Sequence, residues 1–287
     1  MKRALVLSGG GIAGSYEVGA ITHLLNLGIE FDIICGSSVG AINAAFLSQY
    51  KKDNFEKGCK ELIKFWKNLE QKNIYKRWFP FGKLHSLWKK SLYNSKPLKE
   101  LIEKNIDENK IFESKIELRV GTVSVKSGKY KIYDQKSKDI INAIVASASF
   151  PPFFSPVKIN DDLEYDAGIR EYTPIRSAID AGATEIYVIC SDSNKLPPID
   201  NTDKMNSIDL LKRFLNTMAL EIILEDLKQV EIINQKILSG DRKEKKIIKC
   251  HVIKPNKQLV EDSLKFDHET ITKLMGIGYN DAVQQIK

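Results

Sequence analysis

Long hydrophobic runs are missing from this chain. No stretch approaches the roughly 18 consecutive apolar residues of a membrane-spanning helix. Apolar residues make up 43% and charged residues 28% of its 287 positions, an ordinary globular composition. The opening residues, MKRALVLSGGG, hold only Ala4 to Leu7 before a glycine-rich break. A secretory leader needs an apolar stretch of about 7–15 residues, so a first strand is expected there instead. Cysteine is scarce as well. Cys35, Cys59, Cys190 and Cys250 form no C-x-x-C pair and stand at no spacing from histidine that would hold zinc. Three of them lie in apolar strand- or helix-like runs, which points to buried, reduced thiols and a cytoplasmic protein. Internal repeats and low-complexity tracts are absent too.

What is present is a lopsided charge. The chain carries a net +7, yet residues 51–99 alone hold 14 Lys and Arg against 4 Asp and Glu. All three tryptophans, Trp66, Trp78 and Trp88, fall in the same window. Such a patch suits an anionic surface, either membrane or nucleic acid. No nucleic-acid motif accompanies it, so no nucleic-acid partner is expected. Trp66 shares a helical apolar face with Phe55, Cys59, Leu62, Ile63 and Leu69 and reads as core. The loop Arg77-Trp78-Phe79-Pro80-Phe81 is harder to bury, and Arg77, Trp78, Phe79 and Phe81 are the candidates for peripheral contact with anionic membrane.

The periodicity predicts strands at 3–8 and 31–35, helices at 41–50, 55–69 and 97–106, and a hairpin over 118–133. A helix near 139–146 and a second hairpin over 157–165 follow. Beyond them come a helix at 174–181, a strand at 185–190, a long helix over 207–238, a strand at 247–253 and a helix over 268–286. Helices alternate with strands, so an α/β/α layered domain is expected. The segment 191–203, rich in Pro, Asp, Ser and Asn, reads as a linker.

Two glycine-rich junctions carry the chemistry. In GSSVG, Gly36 and Gly40 flank Ser38 between a predicted strand and a predicted helix, the setting in which a G-x-S-x-G serine becomes a nucleophile. In SGGGIAG, consecutive glycines leave backbone N–H groups bare, as an oxyanion hole requires. A P-loop is excluded, because Gly14 is followed by Ser15-Tyr16 where Lys-Ser/Thr is needed. Gly9, Gly11 and Gly14 do match G-x-G-x-x-G, but the second strand ends in Cys35-Gly36-Ser37 and lacks the ribose-binding acid. For the proton acceptor the residues leave a choice. His251 and His268 come late in the chain, in a strand and at a helix start; Asp166, in EYDAG, leaves a hairpin among small neighbours.

GGGIAG, GSSVG and DAG, with the stretch ASASFPPFFSPV before the aspartate, together resemble the patatin-like phospholipase family over roughly residues 3–190. The resemblance implies a mainly parallel central sheet with a helical, basic-aromatic insertion. It also implies a lipid acyl hydrolase without metal or organic cofactor, in which Ser38 attacks and Asp166 takes its proton. Gly10 and Gly11 would supply oxyanion N–H groups, Gly9 the turn, and Gly14, Gly36, Gly40 and Gly168 the supporting backbone. On this basis residues 1–190 form the catalytic domain, with the insertion at about 51–110, and 191–287 a helix-strand-helix part packed on it. Two positions depart from the family pattern. Ala13 stands where Arg or Lys is usual, and Ala167 replaces the first glycine after the aspartate. A thioesterase or acyltransferase using the same serine, or a catalytically silent lipid-binding relative, therefore stays open.

Overall fold

The computed structural model describes residues 1–78, 89–193, 195–200, 202–240 and 246–286, with Lys204, Ile208 and Lys212 described by backbone alone. Strand β1 (Arg3–Leu7) is followed by helix α1 (Gly14–Asn26), β2 (Ile33–Gly36), α2 (Val39–Leu47), α3 (Phe55–Lys67) and the short α4 (Gln71–Ile74). Then come α5 (Lys96–Asn105), α6 (Glu108–Ser114), the hairpin β3 (Glu117–Ser124) and β4 (Tyr130–Asp134), and α7 (Ile140–Ser147). A second hairpin, β5 (Val157–Ile159) and β6 (Asp162–Asp166), leads to α8 (Ile175–Asp180) and β7 (Glu185–Ile189). The chain ends with α9 (Ser207–Leu238), β8 (Lys249–Ile253) and α10 (His268–Gln285).

The eight strands form one sheet in the order β5-β6-β3-β2-β1-β7-β8, with β4 paired to β3 off this path. The pairings from β3 through β2, β1 and β7 to β8 are parallel; both hairpins and the β3–β6 contact are antiparallel. The parallel strands are buried on both faces and read as nearly unbroken apolar runs for that reason. Alternate side chains serve different layers. Leu5, Leu7, Ile34 and Ile189 enter the core shared with α1, α2, α3, α7 and α10. Ala4, Val6, Ile33 and Val188 face the smaller core under α8 and the second half of α9. The molecule is thus a mixed α/β protein with helices on both sides of a mostly parallel sheet.

The C-terminal elements join the same sheet: β8 pairs with β7, and α10 lies against α1. A Cβ on Gly278 would collide with the backbone of Tyr16, so the two helices approach closely there. In α3 the buried residues Phe55, Cys59, Leu62 and Trp66 follow the expected face. Helix α2 begins at Val39, two residues before the predicted start, because the chain turns into helix immediately after Ser38. Helices α4 and α6 were not legible, being too short to display a period; α6 is capped by the Asp107 side chain, which accepts from Asn109 N–H at 2.9 Å.

Candidate active site

The site is assembled at the C-terminal edge of the sheet, where β1 and β2 hand over to α1 and α2. After Gly36 the backbone turns sharply, and Ser38 takes φ 55°, ψ −130°. A non-glycine residue there costs on the order of 1–3 kcal/mol, which the neighbouring contacts must offset. Glycines on either side permit the turn. A Cβ on Gly40 would lie 2.6 Å from Leu7 O, and one on Gly36 would collide with the Gly40 backbone. The Ser38 N–H donates to Ser147 Oγ at 3.1 Å, tying the elbow to the end of α7. Ser37 is fully buried, whereas Ser38 is half-buried and stands immediately before α2. Of the two serines, only Ser38 is open to a substrate.

Sheet register explains how Asp166, 128 positions away in sequence, arrives beside it. Strand β2 ends with Gly36 paired to Val120 of β3. Two residues further along β3, Thr122 pairs with Asp166 of β6, while β4 occupies the opposite edge throughout. Strand β6 therefore takes over the edge that β2 leaves when the chain bends at Ser38. The last residue of β6 is Asp166.

Asp166 is 1% exposed. Its Oδ1 accepts the Gly168 N–H at 2.8 Å, and its buried Oδ2 accepts no hydrogen bond of ordinary geometry. Burial pushes its pKa up to about 7, against the opposing pull of the Gly168 N–H and of the adjacent Ser38 hydroxyl. The structure thus brings the hydroxyl at 38 and the carboxyl at 166 together. Ala167 is the buried first residue of a 3-10 turn and is not among the residues with positive φ, so alanine is accommodated there without backbone strain.

The glycine loop lies on the elbow. Gly9, Gly10 and Gly11 have φ of 150°, 102° and 61°, and a Cβ on Gly9 would come within 2.8 Å of Ser38 Cβ. Side chains are excluded by both conformation and space. The Gly9 N–H is already committed, donating to Glu17 Oε1 at 3.1 Å. That removes Gly9 from the oxyanion donors and leaves it the turn and the close approach to Ser38. The Gly10 and Gly11 N–H groups make no hydrogen bond among the described residues. Gly14 packs against Val39 and Trp66, and Ala13 is buried in the turn, its N–H donating to Gly10 O at 3.2 Å.

Glu17 is the feature that sequence reasoning missed. It is completely buried on α1, with Oε1 also near Ser8 Oγ (3.3 Å) and Oε2 accepting from Asn43 Nδ2 at 2.8 Å. Asn43 in turn accepts the Trp66 Nε1–H at 2.8 Å. Burial drives the Glu17 pKa up to about 8, although hydrogen bonds from Asn43, Ser8 and Gly9 pull it down. One signal was available: SYEVGAI places an acid in a helical run with no polar face of its own. Ser191, just after β7, completes the support. Its N–H donates to Ser8 Oγ at 3.0 Å, and its hydroxyl donates to Gly9 O.

The described histidines lie elsewhere. His251 stacks on Tyr187 and faces Glu185 Oε1 at 3.4 Å, in the middle of β8. Three strand spacings separate β8 from β2, on the order of 14 Å. His268 Nδ1 is 3.1 Å from Lys67 O on the surface, and His23 packs edge-on against Tyr279. His85 lies outside the described residues, as do Phe79, Phe81 and Trp88. Trp78 is half-buried; its Nε1–H donates to Ser91 O at 3.0 Å and Lys89 Nζ stands 5.4 Å from its ring centroid. An open groove lined by Leu227, Val230, Leu238 and Ile248 runs beside β8 and includes neither Ser38 nor Asp166. Among the described residues no cluster of His, Cys, Asp and Glu is arranged to hold a metal ion.

A strand-elbow-helix serine, with a glycine loop beside it, thus stands at one edge of a mostly parallel α/β sheet. The model of the patatin-like phospholipase family matches residues 5–179, more than half of the chain, and the chain belongs to that family. Among solved structures, VipD from Legionella pneumophila is similar over 99% of this chain and 66% of that one, at 12% identity and a TM-score of 0.43. The chain therefore spans a little under two thirds of VipD. No described helix is long and apolar enough to cross a membrane.

Proposed function

We propose that the chain hydrolyses the carboxylic esters of lipids, as a phospholipase A or lysophospholipase, through a Ser38–Asp166 dyad and an acyl-enzyme. The reading rests on one observation above all: a half-buried serine at a strained elbow, beside a buried carboxyl with one unpartnered oxygen.

A carboxylate is a weak base toward an alcohol, so it needs a dry site and a well-stabilised oxyanion. Burial raises the basicity of Asp166 by disfavouring its charged form. Its Oδ2 takes the Ser38 proton as Oγ attacks the ester carbonyl carbon. The carbonyl oxygen becomes an oxyanion, received by the free Gly10 and Gly11 N–H groups. Collapse expels the alcohol, protonated by Asp166, and leaves the acyl group on Ser38. Water then attacks the acyl-enzyme, giving its proton to Asp166, and the fatty acid leaves as Ser38 Oγ is reprotonated. No histidine enters, and none of the steps calls for a metal or organic cofactor. Residues 1–190 carry this chemistry in our reading, and the loop at Arg77, Trp78, Phe79 and Phe81 remains our candidate for contact with anionic lipid.

The test is hydrolysis of phosphatidylcholine, lysophosphatidylcholine and a short-chain nitrophenyl ester by wild type, Ser38→Ala and Asp166→Asn. Both variants are expected to lose activity by about a thousandfold or more on every ester the wild type cleaves. Retained turnover in folded Asp166→Asn would refute the dyad. Cleavage of acyl thioesters in place of oxygen esters would make the chain a thioesterase with the same nucleophile.

A further inference from the structure

Gly9, Gly10 and Gly11 carry no side chain that could hold them, so the loop keeps its shape only through what packs around it. Gly9 is fastened on both sides, its N–H to Glu17 and its carbonyl to the Ser191 hydroxyl. Gly11 rests on the backbone of Ser263. Gly10 has a different wall. A Cβ there would lie 2.8 Å from Ser191 Oγ and 3.3 Å from the Tyr172 hydroxyl oxygen.

Tyr172 reaches the other half of the site too. A Cβ on Gly168 would lie 3.5 Å from Tyr172 Cδ2 and 3.2 Å from Asp166 Oδ1. Gly168 is the residue whose N–H donates to that same Oδ1 at 2.8 Å. One side chain therefore lies against both the glycine loop and the turn that orients the Asp166 carboxyl.

Its position is fixed from three directions. The Tyr172 hydroxyl donates to Asp192 Oδ2. On one flank the Glu171 N–H donates to Ala167 O at 3.0 Å; on the other the Thr173 N–H donates to Asp226 Oδ2 at 2.8 Å. Asp192 follows Ser191 directly, so one short segment after β7 holds both Gly9 and Tyr172. That segment opens the stretch 191–203, which reads as a linker in the sequence, and lies beyond the residues 5–179 of the family match. Gly10, Ser38, Tyr172 and Asp192 are all partly exposed, so the pair borders the mouth of the site.

We propose that Tyr172, held by Asp192, is a positioning residue that fixes the glycine loop against the turn carrying Asp166. The inference rests on the Ser38–Asp166 reading for its purpose. The hydroxyl itself does no chemistry, because its one proton is committed to Asp192. What the pair supplies is distance. The Gly10 N–H and the Asp166 carboxyl must serve the same ester at once, and a small displacement of either weakens the transition state more than substrate binding.

Steady-state kinetics on a soluble nitrophenyl butyrate and amide hydrogen exchange test this together. Tyr172→Phe keeps the ring and removes the link. Its kcat is expected to fall about tenfold, with KM within about twofold of wild type. Asp192→Ala should do the same, and the double variant should be no worse than either alone. Asp192→Asn, whose amide oxygen can still accept the hydroxyl, should recover most of the rate. Exchange in the segments 9–13 and 166–171 should quicken by about tenfold in Tyr172→Phe, with the rest of the sheet unchanged. Tyr172→Phe alone carries the test if Asp192→Ala does not fold. A kcat within about twofold of wild type in folded Tyr172→Phe, or additive losses in the double variant, overturns the proposal. Unchanged exchange in both segments overturns it too, whatever the kinetics. If exchange responds in both segments while wild type cleaves no ester, the coupling stands and the hydrolase reading falls.

Discussion

The Gly9 N–H donates to Glu17 Oε1 at 3.1 Å, so the loop that borders Ser38 is shaped by a fully buried acid on α1. The same carboxyl holds Asn43, and through it Trp66 at the end of α3. Removing it leaves the Gly9 and Asn43 donors without their acceptor. Glu17→Ala is expected to lower unfolding free energy by about 1–3 kcal/mol. It should also lower kcat by about tenfold with little change in KM, because a displaced loop weakens oxyanion binding more than substrate binding. Denaturant melts and steady-state kinetics on one soluble ester check both. A loss of stability with kcat unchanged would make Glu17 purely structural.

The raised pKa of Asp166 has a signature in rate. The proposed dyad needs the carboxylate, so kcat/KM should rise with pH along a limb whose apparent pKa is near 7. A limb near 4 would mean that Asp166 is not the base.

Stability should move in the opposite direction. A carboxyl raised from 3.8 to about 7 in the folded state contributes stability that is fully present below pH 3.8 and is lost as pH climbs through 7. Asp166→Asn escapes that loss. Its melting temperature should exceed that of wild type by an amount that grows between pH 4 and 7 and then levels off, a gain of a few kcal/mol. Paired thermal melts at pH 5 and pH 8 measure it, and a gap that shrinks with pH would contradict the burial argument.

His251 faces Glu185 and stacks on Tyr187 in mid-strand, well away from the elbow. His251→Ala should therefore leave kcat within about twofold of wild type while Asp166→Asn abolishes turnover. Equal damage from both changes, with folding intact, would restore a histidine mechanism.

Much of this arrangement was legible in the residues. The parallel strands announce themselves as apolar runs, and α9 was predicted over the same residues, 207–238, that it spans. Ser38 and the glycine loop were visible because tight backbone turns demand glycine at fixed offsets. The choice between Asp166 and the histidines was not readable from local pattern. It depends on β6 replacing β2 along one edge of β3, a long-range register that no window of sequence displays. Glu17 was hidden for a related reason, since an acid in an apolar helix becomes meaningful only when its partners are known.

Contact of the segment at Arg77, Trp78, Phe79 and Phe81 with anionic lipid has a signature in its dependence on salt. Contact by the basic loop is electrostatic and should weaken steeply as sodium chloride rises from 0.05 to 0.5 M. Vesicle sedimentation of wild type and of a Trp78→Ala/Phe79→Ala variant over that range checks it. Binding by this variant equal to wild type at low salt would dismiss the loop as a docking element.

The central claim is that the hydroxyl at 38, and not its neighbour at 37, is the nucleophile activated by Asp166. Peptide mapping by mass spectrometry after reaction with a fluorophosphonate tests it most directly. One phosphonyl adduct on Ser38 is expected, formed readily at pH 8, absent in Ser38→Ala and strongly slowed in Asp166→Asn. An adduct on Ser37, or labelling at full rate without the carboxylate, would contradict the account.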